Sequence, residues 1–504
     1  MMFVESKLRP PQVRQPFVRR SRLEQKLGDA GERSVTLVSA EAGSGKSALV
    51  ASWLSDRRYS SAWVSLDRED SNPVRFWTYI IEAVRRELPS LGNRATSMVS
   101  SQHNSSWYAV VEEFARELTE AVDARPERFV LVVDDIQKIG RANTIDGFDL
   151  FLDLSPKWFQ IVVISREDPD ISLSRRRVAR DVSEIRYDDL RFTTEEAVEL
   201  CTQLGAGVLS QSDSAVLGKR TEGWVAGIQL AMINVRHHEQ PASFVQSFSG
   251  DNRFVADYLA DEIIDSQSEI VRDFLLKTSE LSELNSELCS EVVGNKSASE
   301  CGKMLLYLER TNMFVVALDD HRELYRYHHL FRDSLRRRLT LDQPGISPEV
   351  NRRASLWYAR LGLYDLAFSH ALRTDDPAFA IATVETFVDE LLWRSQDYNT
   401  LSDWFARIPE AALQDSPKLL LAIAWMNVFS GNVAATATIL NNVDRAIKVS
   451  SPEDARSLLA EWSALQALNR ARMGEFDAAS YAESAEVLLE ETELEESNRQ
   501  STIM

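Results

Sequence analysis

Apolar positions follow two rhythms along this chain. Up to about residue 190, short continuous apolar runs alternate with stretches of helical period. Val35-Thr-Leu-Val38, Ser61-Ala-Trp-Val-Ser-Leu66, Phe129-Val-Leu-Val-Val-Asp-Asp135 and Phe159-Gln-Ile-Val-Val-Ile-Ser-Arg166 read as buried strands. Between them, Ser47 to Leu54, Arg75 to Leu88 and Ser106 to Val122 read as helices. Phe76, Tyr79, Ile80, Ala83 and Val84 repeat at three- and four-residue steps, which places them on one helix face. Strands that are apolar throughout need cover on both faces. Alternating with helices, they predict an α/β domain with a parallel sheet.

After Arg191 the strand pattern gives way. Thr194 to Leu204 and Ser212 to Val235 read as helices. Residues from 276 to about 340 combine short helices with one hairpin, Phe314-Val-Val-Ala-Leu318 to Leu324-Tyr-Arg-Tyr327, and suit a small winged-helix unit. Beyond Ser347 the chain reads as helical. Three junctions look alike, at Gly362, Gly431 and Gly474, each after a Trp-bearing helix and before an Ala-rich one. They predict an irregular all-α solenoid of tetratricopeptide type. Glu483 to Glu496 reads as an acidic helix or tail. The expected organisation is an N-terminal segment 1–33, a domain 34–191 that the glycine-rich loop Ala40 to Ser47 marks as a P-loop NTPase domain, a helical domain 192–275, a winged-helix-like domain 276–345 and the start of a helical TPR-like solenoid 346–504.

The most specific signal lies directly after the first strand. Ala40, Glu41, Ala42, Gly43, Ser44, Gly45, Lys46 and Ser47 fit a phosphate-binding P-loop, with Ala40 where the pattern has its first glycine. Backbone N–H groups must wrap a phosphate there, so glycines keep side chains out of the way. Lys46 can neutralise β/γ oxygens, the Ser47 hydroxyl can bind Mg²⁺, and the next helix starts at the anion. Asp134 and Asp135 end the third strand in the Walker B manner. Asp134 suits Mg²⁺, while Asp135 can orient or deprotonate an attacking water. Arg166 ends the fourth strand, where an arginine can reach a γ-phosphate or lie solvated on the surface.

Other constellations carry less. His328-His329 invites a metal reading, but adjacent side chains diverge and no carboxylate or cysteine cluster stands nearby in sequence. Arg175-Arg-Arg177 and Arg336-Arg-Arg338 read as solvated helix faces rather than nucleic-acid contacts. Trp393, Trp404, Phe405, Trp425 and Trp462 sit at helical spacing and read as core. With 504 residues there is room for about three or four domains. A net charge of −20 opposes non-specific nucleic-acid binding by the chain as a whole. Cys201, Cys289 and Cys301 are scattered and odd in number, as in a reducing compartment. Neither a signal-peptide pattern nor a membrane-length apolar run is visible, so a cytoplasmic protein away from the membrane is expected.

In their order these residues resemble the MalT-like regulators, the large ATP-binding regulators of the LuxR family within the STAND class of signalling ATPases. The resemblance runs along nearly the whole chain. It is carried by Lys7-Leu-Arg-Pro-Pro11, Val18-Arg-Arg-Ser-Arg-Leu23, Ala62-Trp-Val-Ser-Leu-Asp67 with Asp70 and Arg75-Phe-Trp77, and Ser165-Arg166-Glu-Asp-Pro169. Leu190-Arg-Phe-Thr-Thr-Glu-Glu-Ala197, Thr221-Glu-Gly-Trp-Val-Ala-Gly227, Phe254-Val-Ala-Asp-Tyr-Leu259 and Arg326-Tyr-His-His-Leu-Phe331 continue it. Ile408-Pro, Pro417 and Ala424-Trp425 resemble the family's first solenoid helices.

The resemblance implies that Arg166 is a sensor arginine and that Gly223-Trp224 lies near the adenine. It implies that His328 contacts the ADP β-phosphate and holds a closed state. It further implies a switch, closed with ADP and open and self-oligomeric with ATP, Mg²⁺ and an inducer of unknown identity, with slow hydrolysis as the reset. One departure is large: nothing after Ser450 resembles the family's C-terminal helix-turn-helix. This chain is therefore expected to lack the DNA-binding output and not to bind DNA directly. The alternative is a catalytic P-loop ATPase or kinase with a helical-repeat interaction arm.

Overall fold

The computed structural model describes residues 3–491, apart from residues 14, 30–32, 58, 101–106, 122–127, 140–142, 206, 237, 239, 448–451 and 476. The last part of the expected acidic tail lies outside the described residues. The chain divides into two compact units. The first comprises residues 1–275, 282–286 and 299–337, and the second residues 276–281, 287–298 and 338–504.

The first unit is built on a five-stranded sheet, β1 Val35–Ser39, β2 Ser60–Ser65, β3 Phe129–Asp134, β4 Phe159–Ser165 and β5 Val182–Ile185. All pairings are parallel, in the order β2-β3-β4-β1-β5. The four expected strands are present. The fifth, β5, pairs with β1 at the edge and was not legible from its short pattern.

Alternate strand residues point to opposite faces. Val35, Leu37, Leu131, Val133, Ile161 and Val163 share one core with Phe76, Trp77, Phe114, Phe148 and Phe151 from the helices Pro73–Glu87, Trp107–Glu120 and Asn143–Leu154. Val38, Val130, Val132, Val162 and Ile164 share the other with Leu23, Leu49, Val50 and Trp53 from the helices Ser21–Asp29 and Lys46–Arg57. The sheet is thus covered on both sides. In such sheets ligands bind beyond the carboxyl ends of the strands. Here those ends carry Ala40, Asp134 and Arg166, because β4 lies between β1 and β3.

The expected helix Ser212–Val235 is two helices, Gln211–Arg220 and Val225–Val235. Glu222 and Gly223 both have positive φ and break it. The polar stretch before residue 107 holds an additional helix, Asn93–Ser100. The hairpin forms as β6 Val315–Ala317 and β7 Tyr325–Tyr327, antiparallel.

The second unit is helical. Tandem helices Ile346–Arg360 with Tyr364–Ala371, Pro417–Phe429 with Val433–Ile447, and Pro452–Met473 with Ala478–Glu491 pack pairwise. The turns of these three pairs carry Gly362, Gly431 and Gly474 in the left-handed region. Trp404 and Trp425 are buried in this unit, as their spacing predicts.

A candidate nucleotide-binding site at the ends of β1, β3 and β4

The P-loop leaves β1 at Ala40 and enters the helix Lys46–Arg57. Gly43 and Gly45 have φ of +73° and +81°. A Cβ at Gly43 would lie 2.6 Å from Ala226 Cβ and 2.9 Å from the Tyr258 hydroxyl. Glycine is required there by both backbone and space. Lys46 is buried, and its ammonium donates to the carbonyls of Ala40 (2.7 Å) and Glu41 (2.8 Å). A lysine held by loop carbonyls is placed to exchange them for phosphate oxygens, so the cradle fits a nucleotide phosphate. Burial pushes the Lys46 ammonium down and the neighbouring Glu41 carboxyl up, each towards its neutral form.

Asp134 and Ser47 lie side by side, and the Ser47 hydroxyl bonds the Asp134 carboxylate. An oxygen pair of this kind suits Mg²⁺. Burial, aided by the adjacent Asp135 charge, pushes Asp134 up to about 6. A divalent cation would reverse that shift. Asp135 adopts φ 62°, in the left-handed region, directly after the strand. Burial raises its carboxyl, but hydrogen bonds from Lys138 (2.6 Å) and Gln137 (2.8 Å) outweigh this and hold it below the usual range. Arg166 pairs with Glu262 at 2.9 Å and sits within the field of Asp135.

Several partners of the loop were not visible in the sequence. Gln137 accepts from the Arg166 backbone N–H (3.1 Å) and donates to Asp135, so one amide links the ends of β3 and β4. Asn312 donates to Ser39 Oγ (3.1 Å) and to the Arg166 carbonyl (3.0 Å). Arg20 donates to the carbonyls of Gly45 (3.2 Å) and Leu190 (3.0 Å). Trp224 donates its indole N–H to the Ala42 carbonyl at 2.9 Å, and the Ala226 N–H donates to the Gly43 carbonyl at 3.1 Å.

His328 is fully buried between Trp224 and Phe314. Its Nε2 lies 3.1 Å from the Thr221 carbonyl, which can only accept, so Nε2 carries the proton. Nδ1 is then a buried acceptor without a hydrogen-bond partner. Burial pushes this imidazole down to about 4, so it is neutral at physiological pH. A phosphate contact would need this histidine to change its partner or its protonation.

His329 Nδ1 meets Glu222 at 2.8 Å, and Arg326 makes a double ion pair with the same carboxylate (2.9 and 2.8 Å). Glu222, His328 and His329 therefore form a carboxylate–histidine cluster that sequence spacing did not show. Arg326 already balances Glu222, and Thr221 occupies Nε2, so the group reads as an ion-pair junction.

Fold and loop together define a P-loop NTPase. The chain is MalT-like: residues 260–346 match the MalT winged helix domain, and the likeness to full-length proteins runs along nearly all of it. It is 28% identical over 482 residues to the HTH-type transcriptional regulator MalT of Klebsiella pneumoniae, covering 95% of this chain and 52% of that protein. It is 29% identical over 468 residues to the serine/threonine-protein kinase PknK of Mycobacterium tuberculosis, covering 92% of this chain and 41% of that protein. The chain thus spans about half the length, or less, of these relatives. Among solved structures, a Walker-type ATPase of Pyrococcus abyssi shares 12% identity at a TM-score of 0.46, over 65% of this chain and 98% of that one. Among the described residues, no helix is long and apolar enough to cross a membrane.

Proposed function

We infer that this chain is the nucleotide-driven switch of a STAND-class, MalT-like transcription regulator. It binds ATP with Mg²⁺ or ADP, and it hydrolyses ATP slowly to return from an ATP-open to an ADP-closed state. The observation that carries this reading is the set of hydrogen bonds on the P-loop carbonyls. Trp224 and Ala226 from the helical region and Arg20 from the N-terminal segment all bond the loop itself. A motor or kinase needs the loop to hold phosphate. A switch also needs the loop to report it, and these contacts supply the connection.

In this reading Ala40 to Ser47 bind the phosphates, Ser47 and Asp134 hold Mg²⁺, and Asp135 positions the attacking water. Arg166 exchanges Glu262 for the γ-phosphate, and His328 stabilises the ADP-closed form. The magnesium ion would supply charge neutralisation at the β- and γ-oxygens. An inducer, itself unidentified, favours the open state, which self-associates. The chain works in the cytoplasm and does not bind DNA itself. The test is direct. The purified chain is denatured, the released nucleotide is identified by chromatography, and phosphate release is followed with fresh ATP. Bound ADP with turnover far below about 1 s⁻¹ is expected for a switch, whereas kinases run at about 1–100 s⁻¹. Turnover at or above that rate would favour a catalytic ATPase or kinase.

A further inference from the structure

We propose that Arg9, on the N-terminal strap, is a positioning and specificity residue that distinguishes ATP from ADP by contacting the terminal phosphate. The proposal rests on the nucleotide-site reading above. Strap residues between Glu5 and Gln12, Arg9 among them, line a cavity of about 570 Å³ together with Ser47, Ser65 and Asp134. The cavity therefore adjoins the magnesium corner of the P-loop.

The strap is fastened at several points. Lys7 pairs with Asp67 at 2.7 Å and with Asp70, which is fully buried and also held by Arg75 at 2.8 Å. Leu8 packs into the core beneath the sheet. The Val4 N–H donates to the Tyr79 hydroxyl at 3.2 Å. Pro10 and Pro11 follow Arg9 directly and restrict the backbone beyond it. Arg9 is thus presented from a rigid support rather than from a loose terminus.

Charge accounting singles Arg9 out. Glu5 is engaged by Arg86 through two hydrogen bonds of 2.8 Å. Arg9 has only a distant contact to Glu5 at 3.8 Å, and its side chain is 74% exposed. Asp134 and Ser47 supply the oxygens for a divalent cation. Of the described residues lining the cavity, Arg9 is the only cationic one, and it shares that lining with Ser47 and Asp134. The chemistry that matches is a phosphoryl group carrying a divalent cation. In the nucleotide-site reading, a third phosphate would add anionic oxygens on the Ser47 and Asp134 side of the loop, where a guanidinium can pair with them.

The test titrates the full chain with fluorescent, non-hydrolysable ATP and with fluorescent ADP, both with Mg²⁺, in wild type, Arg9→Ala and Arg9→Lys. Arg9→Ala is expected to weaken the ATP analogue about 10-fold or more and to leave ADP unchanged, as for loss of a hydrogen bond to a charged group. Arg9→Lys should recover part of the loss. An unchanged ratio of ATP to ADP affinity in Arg9→Ala would overturn the proposal, whether both affinities stay or both fall. If wild type binds neither nucleotide, the nucleotide-site reading itself fails and takes the proposal with it, so the two failures are told apart.

Discussion

The indole N–H of Trp224 donates to the carbonyl of Ala42 at 2.9 Å, across 182 residues of sequence. Trp224 is fully buried and also meets Tyr258 and Phe314, at ring centroid distances of 5.7 and 5.3 Å. A loop that shifts by a fraction of an ångström on phosphate binding must therefore move, or break from, a packed aromatic cluster. Packed cores respond to such shifts in discrete steps rather than by continuous deformation. Trp224→Phe keeps most of the packing and removes only the donor. Stability should fall by about 1 kcal/mol beyond any packing loss, and ADP should dissociate several-fold faster. Chemical denaturation and a stopped-flow nucleotide chase measure the two effects. An unchanged ADP off-rate would make this contact purely structural.

Lys46→Ala should abolish tight nucleotide binding, because the phosphates lose their main cationic partner. Lys46 is buried and bonded to two loop carbonyls, so some loss of stability is expected too. Calorimetric titration beside a thermal melt separates these. Wild-type affinity in this variant would remove the P-loop assignment.

Asp134 links the site to pH. Its carboxyl sits at about 6 in the folded protein, above its ordinary value of 3.8. A raised carboxyl penalises folding above the unfolded value, and the penalty is complete once pH exceeds about 6. Asp134→Asn should therefore stabilise the nucleotide-free protein by about 1–3 kcal/mol at pH 8 and by little at pH 4. Magnesium needs the carboxylate, so Mg²⁺-dependent ATP binding should weaken as pH falls through 6 in wild type. In Asp134→Asn the part of this pH dependence that belongs to the carboxylate should disappear. Loss of stability in Asp134→Asn at pH 8 would contradict the electrostatic account.

His328 should matter for acid stability and for ADP retention. Its imidazole is pushed down to about 4 from an ordinary 6.5. The neutral form fits the folded site, so stability is full above 6.5 and declines as pH falls from there towards 4. The total loss is at most about 3–4 kcal/mol and should vanish in His328→Ala. The same variant should release ADP faster and self-associate more readily, which a nucleotide chase and light scattering read directly. Retained ADP and an unaltered acid limb would show that His328 only fills space.

Those features that depend on neighbouring residues were legible in the sequence. The P-loop, the Walker B pair and the four long strands are local patterns, and each stands within a residue or two of its expected place. β5 was missed because four residues, Val182 to Ile185, carry too little pattern to separate from a turn. The break at Glu222-Gly223 was hidden by helical period on both sides, although the glycine was a cue. The contacts of Arg20, Gln137, Trp224 and Asn312 around the loop arise from folding and not from spacing. Glu222 joined the histidine pair for the same reason: 107 residues separate it from His329.

The central claim is that the phosphate state of the nucleotide changes the contacts on the loop. Asp135→Asn is the variant in which to test it. Asparagine tolerates the φ of 62° at this position, so folding should survive. Loss of the water-positioning carboxylate should slow hydrolysis about 10²–10⁴-fold, so that ATP persists through the measurement. Hydrogen–deuterium exchange is then compared between ADP and Mg·ATP over residues 221–228 and 254–262, which carry Trp224, Ala226, Tyr258 and Glu262. Protection with ADP and faster exchange with ATP are the predicted result. Equal exchange in both segments, with both nucleotides bound at saturation, would contradict the switch.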